Sequence, residues 1–143
     1  MTGAKLEIIS FFGIIGSYVA GLFGGWSTAM TTLLIFMAID YITGLLVAGI
    51  FHASNKTKNG SLESNAGFKG LCRKGVALLI VLVGSRLDLI VGTSHIKDAV
   101  VIAFVVNEVI SITENAGLMG VPMPECIVKA IEVLQDKDTD IKA

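Results

Sequence analysis

Residues 8–39, IISFFGIIGSYVAGLFGGWSTAMTTLLIFMAI, contain no Asp, Glu, Lys or Arg, and this run decides how the rest of the chain is read. One helix needs about 20 apolar residues to cross the hydrocarbon core of a bilayer. The run is too long for a single crossing, and it breaks at Gly24-Gly25-Trp26-Ser27-Thr28. Paired glycines weaken a helix, Ser27 can cap a new one, and Trp26 suits the membrane–water interface. The reading is therefore a first span over 6–25 and a second over 28–51, with Asp40 near the middle of the second. A cleaved secretory signal fits less well, because another apolar stretch follows at once.

Composition agrees that lipid is the solvent. The chain has 143 residues, 53% hydrophobic and only 16% charged, with a mean hydropathy of +0.77. Soluble domains are about 45–50% apolar and about 25% charged. Residues 52–70, rich in Gly, Asn, Ser and Lys, form a loop. A third span is expected over 71–93, carrying Arg86 and Asp88. After a short connection, a fourth and less apolar stretch over 96–113 carries Asn107 and Glu108, and either crosses or lies in the interface. Beyond Pro122 and Pro124, Glu125, Lys129, Glu132 and Asp136 recur on one helical face, with Ile127, Ile131 and Leu134 on the other. That spacing predicts a short amphipathic helix over 125–136, with a frayed end through Ala143.

The expected architecture is thus an all-α integral membrane protein of about four transmembrane helices plus that C-terminal helix. A transmembrane domain spans 1–114, and a tail spans 115–143. Lys56, Lys58, Lys69, Arg73 and Lys74 crowd the 52–70 loop and its flank against Glu63 alone. Basic residues mark cytoplasmic loops, so the loop and both termini are expected inside. Cys72 and Cys126 then face the cytoplasm, where thiols stay reduced, and they make no zinc-ligand spacing.

The pattern excludes most chemistry. His52 and His95 have no activating partner, and no phosphate-binding, dinucleotide-binding or metalloprotease motif occurs. No enzyme activity, cofactor or metal is expected. The basic cluster lacks aromatic interleaving, so no nucleic acid is expected either. Two features remain. Gly13, Ser17, Gly21 and Gly25 recur every fourth residue in the first span, beside a second row of Gly16, Ala20 and Gly24. Small residues so spaced let helices approach closely in lipid. Asp40, Arg86, Asp88, Asn107 and Glu108 are polar or ionisable groups in apolar spans. Each charge costs roughly 2.5–3.5 kcal/mol near the bilayer centre unless paired or wet. Arg86 and Asp88 are two residues apart and do not face each other. Arg86 is expected to reach Asp40, and the polar set to line a water-filled lesion once subunits assemble.

Three blocks resemble the phage-lysis and toxin-secretion holins of Gram-positive bacteria and their phages. They are Asp40-Tyr41-Ile42-Thr43-Gly44; residues 64–74 with Gly67, Gly70, Leu71, Arg73 and Lys74; and Asn107-Glu108 with Ser111-Ile112, Glu114-Asn115, Gly120-Val121-Pro122 and Pro124. The resemblance covers about 30–135, and the first 25 residues match only in hydrophobicity. It implies a homo-oligomer in the bacterial cytoplasmic membrane. Such proteins accumulate harmlessly, then open abrupt holes that collapse the membrane potential. The holes let an endolysin reach the peptidoglycan or release a toxin, and an antiholin can regulate them. Asp40, Asn107 and Glu108 would then serve assembly or the polar lining. The competing readings are a small multi-span transporter and an antiholin or passive membrane anchor. The lack of a carboxylate within the first span, beyond Glu7 at its edge, argues against a transporter.

Overall fold

A computed structural model describes residues 2–142, as five α-helices. They are α1 Gly3–Leu22, α2 Thr28–Gly49, α3 Ser64–Val91, α4 His95–Leu118 and α5 Glu125–Lys142. By length and composition, α1 and α2 are apolar enough to cross a membrane. At 28 and 24 residues, α3 and α4 are longer still, but charged residues interrupt their apolar stretches.

The breaks follow from local chemistry. Gly24 and Gly25 take the left-handed conformation that ends α1. Ser27 then caps α2, its hydroxyl accepting from the Met30 N–H at 3.2 Å. Trp26 donates through Nε1 to the Thr31 hydroxyl at 2.9 Å. Gly92 ends α3 in the left-handed region, its N–H returning 2.8 Å to the Asp88 carbonyl. Gly120 does the same after α4, ahead of Pro122 and Pro124.

Several boundaries differ from the sequence reading: α1 ends at Leu22, not residue 25, and α4 continues past 113 to Leu118. The loop ends at Glu63, not residue 70, because α3 already begins at Ser64; Lys69, Arg73 and Lys74 stand on a helix. The C-terminal helix continues past 136 to Lys142. Fraying at Ala143 lies outside the described residues.

Packing centres on α4, which lies against α2, α3 and α5. Met30, Leu33 and Met37 of α2, Ala77 and Val81 of α3, and Val101 and Val105 of α4 form the core. Among the described residues α1 packs only against α3, and none of its residues is buried. The outside of the molecule is strongly apolar: Phe12 is 66% exposed, Ile14 71% and Ile90 81%. A surface of this kind is solvated by lipid or covered by neighbours.

Candidate functional site

The buried stripes of the three core helices each contain a polar residue. On α2 the stripe runs Met30, Leu33, Met37, Asp40, Val47. On α3 it includes Ala77, Val81, Ser85 and Asp88, and Lys74 lies one turn before Ala77 at the same phase. On α4 it includes Val101, Val105 and Asn115, with Glu108 between them in register.

These positions converge. The Lys74 ammonium lies 2.6 Å from Asp40 Oδ2 and 2.5 Å from Glu108 Oε2. All three side chains are largely buried, at 14%, 9% and 13% exposed. Asn115 is buried beside them. Its Nδ2 donates to Asp40 Oδ1 at 3.1 Å and to the Thr43 hydroxyl at 2.9 Å. Thr43 in turn donates to the backbone carbonyls of Ile39 and Asp40. Lysine suits the centre because its compact ammonium has three donors to share between two carboxylates. With all three ionised the cluster carries one net negative charge. A crevice of ≈ 80 Å³ between α2, α3 and the loop is lined by Asp40, Lys74, Ser54, Lys56 and Leu62, among others. That is room for several waters.

Arg86 does not reach Asp40. It stands exposed on α3, about 18 Å along the axis from Lys74 at 1.5 Å per residue, and Lys74 is the partner Asp40 takes. Asp88 is committed to the backbone at the opposite end of the bundle. Its Oδ1 accepts from the Ile96 N–H at 3.0 Å and from the Thr93 hydroxyl at 2.6 Å, and its Oδ2 accepts from the Lys97 N–H at 2.9 Å. It thus caps α4 from α3. Lys97 in turn donates to the carbonyls of Phe23 at 2.5 Å and Gly25 at 3.1 Å, clasping the end of α1. Asn107 is exposed on α4, and Lys56, Lys58, Lys69 and Arg73 lie outside the buried cluster. In α1 and the turn after it, a Cβ added at Gly13, Gly16, Gly21 or Gly25 would meet nothing within 4 Å. Gly24 alone among these has a close neighbour, the Ser85 hydroxyl, at 3.1 Å from such a Cβ. Gly13, Gly16 and Gly21 of α1 therefore stand open within the subunit.

Sequence reasoning missed Lys74 as an interior residue and Asn115 as its neighbour. The signal that could have found them is helical phase: Lys74 precedes Ala77 and Val81 by three and seven residues, and Asn115 follows Glu108 by seven. Among the described residues no group of three or more His, Cys, Asp or Glu could hold a metal.

The three sequence blocks thus meet at one place: Asp40, Thr43 and Gly44 from the first, Gly67 and Lys74 from the second, Glu108 and Asn115 from the third. The sequence profile of the bacteriophage holin family matches residues 17–136. The chain belongs to that family. As a holin-family member it is 36% identical to an uncharacterised protein of Listeria monocytogenes, over 92% of this chain and 91% of the relative. It is 34% identical to an uncharacterised 14.9 kDa protein of Clostridium perfringens, over 86% and 89%. It is 32% identical to a probable holin of Bacillus phage phi105, over 77% and 76%. No solved structure matches this holin-family chain.

Proposed function

We propose that the protein is a holin that crosses the cytoplasmic membrane with α1, α2, α3 and α4, assembles with copies of itself, and opens non-selective lesions through which an endolysin passes. The observation that carries this reading is the inverted polarity of the fold. Large apolar side chains cover the outside, while a lysine and two carboxylates are paired and largely buried in the middle. A water-soluble domain has the opposite arrangement. Charge pairing lets α2, α3 and α4 rest in lipid despite Asp40, Lys74 and Glu108, because intramembrane ionisable groups persist where they pair with one another. Both termini and the 50–63 loop lie on the cytoplasmic side, as the basic residues there favour. Assembly uses the open glycines of α1, Gly13, Gly16 and Gly21, where an added Cβ would meet nothing within 4 Å. A cytoplasmic antiholin would act on this resting form.

The deciding experiment is co-expression with an endolysin lacking a secretion signal. Cells carrying both are expected to lyse abruptly, and cells carrying either alone are not; the chain alone is expected to depolarise them. Harmless accumulation without depolarisation would leave only a passive anchor. Uptake of one solute class without enzyme release would leave a transporter.

A further inference from the structure

We propose that the crevice between α2, α3 and the loop is a water-filled half-channel from the cytoplasm, lidded by residues 53–62, that ends at the Asp40–Lys74–Glu108 cluster in the resting subunit. This rests on the cytoplasmic placement of the 50–63 loop in the reading above.

The interior of the three core helices has two unlike halves. Toward the outer end, Met30, Leu33, Met37, Val81, Val101 and Val105 pack into an apolar core. From Asp40 inward the same helices bring together Asp40, Lys74, Glu108 and Asn115. The crevice of ≈ 80 Å³ lies on that inner side and reaches Asp40, Lys74 and Asn115. Asp40 is nine residues, about 14 Å, from Gly49 at the inner end of α2, and twelve residues, about 18 Å, from Thr28 at its outer end. The crevice therefore reaches about the middle of a hydrocarbon core roughly 30 Å thick.

The lid is an ordered turn. The Ser54 N–H donates to the Gly60 carbonyl and the Ala53 N–H to the Val47 carbonyl, each at 3.0 Å, tying the loop to itself and to the end of α2. Gly60 takes φ +75°, and a Cβ there would collide with the His52 carbonyl oxygen, so glycine closes this turn. Beneath the lid the Thr57 hydroxyl is buried without a hydrogen-bond partner among the described residues. It lines the crevice together with Tyr41 and Ser54. A buried hydroxyl with no protein partner is satisfied by water. The net negative charge of the ionised cluster at the base favours water and small cations there over anions. Intramembrane charges are tolerated where they pair or face a water-filled cavity, and this cluster does both, wetted from one side. The apolar core beyond it is the barrier that keeps the resting subunit from leaking.

The test is blocking by silver ion, a cation small enough for the crevice, in single-cysteine chains carrying Cys72→Ser and Cys126→Ser. Tyr41→Cys and Gly70→Cys line the crevice, and a Cβ at Gly70 meets nothing within 4 Å. Their chain neighbours Ile42→Cys and Leu71→Cys are exposed, lipid-facing controls at matching depth, and Met37→Cys samples the apolar core. Silver is added to inside-out vesicles or to intact resting cells, and the thiols left free are counted with a maleimide after denaturation. From the cytoplasmic side the two crevice positions are expected to be blocked about tenfold or more faster than the three controls, because the reactive thiolate forms where water reaches it. From outside none is blocked. Gly60→Ala, which displaces the lid, is expected to speed the blocking of Tyr41→Cys and leave Ile42→Cys unchanged; no change at Tyr41→Cys would overturn the lid assignment. Crevice positions no faster than the controls from the cytoplasmic side would overturn the half-channel and leave the lysis reading standing. Blocking of Met37→Cys as fast as Tyr41→Cys would equally overturn it, since the outer half would then be wet. Blocking from outside alone would overturn the placement of the loop, and the topology of the lysis reading with it. Should Tyr41→Cys not accumulate, Gly70→Cys against Leu71→Cys decides the matter.

Discussion

Lys74 is the cation paired with both Asp40 and Glu108, so its loss leaves two buried carboxylates facing each other. Removing one member of a buried ion network costs about 3–5 kcal/mol. Lys74→Met is therefore expected to lower the thermal midpoint of the detergent-solubilised chain, followed by circular dichroism. The triple change Asp40→Asn, Lys74→Met, Glu108→Gln is expected to recover most of that loss, because replacing a whole buried network by neutral groups is often near neutral. A triple variant no better than the single one would show that the geometry, and not the stranded charge, carries the stability. Asp88 acts differently. It satisfies the two backbone N–H groups at Ile96 and Lys97, so Asp88→Ala is expected to cost about 0.5–2 kcal/mol, as for loss of an N-cap. Faster amide exchange at those two positions, with the Lys74 cluster unaffected, is the check.

At the scale of elements, the breaks between helices were legible, because Gly24-Gly25, Ser27 and the prolines each have a specific local effect. Lys74 was not, because five basic residues in one region have a sufficient explanation in topology, and that explanation hid the one whose helical phase matches Ala77 and Val81. The pairing of Arg86 with Asp40 failed for a related reason: opposite charge was used without helix length, and a dozen residues of α3 separate Arg86 from Lys74, at the level of Asp40. The glycine rows of α1 were legible as a repeat of small residues, but not that Gly13, Gly16 and Gly21 stand open within the subunit. Gly13→Leu with Gly16→Leu is expected not to lower the unfolding midpoint of the isolated chain, since a Cβ at either site meets nothing within 4 Å and leucine favours a helix over glycine. The same change is expected to reduce chemically cross-linked oligomers in membranes. A drop in monomer stability instead would show that α1 folds against its own bundle.

For the whole molecule, the charge-free run and low polar content were enough to establish helices dressed in apolar side chains. They could not show that α5 folds back on α4, because amphipathic periodicity specifies a face and not its partner. Orientation has a direct check in the native thiols. Cys72 and Cys126 are both exposed. Each is expected to react with an impermeant reagent in inside-out vesicles of resting cells and to be protected in intact cells. Reaction of either from outside resting cells would overturn the proposed topology.

The clasp of Lys97 on the last carbonyls of α1 has a mechanical consequence. Apart from this clasp and its contacts with α3, nothing among the described residues restrains the tilt of that first helix, whereas α2, α3 and α4 are cross-braced by charge. In a bilayer thinner than α1 is long, α1 would lean to compensate, as an over-length helix does. Hydrophobic mismatch would then be absorbed at the Gly24–Gly25 pivot, leaving the braced trio undistorted.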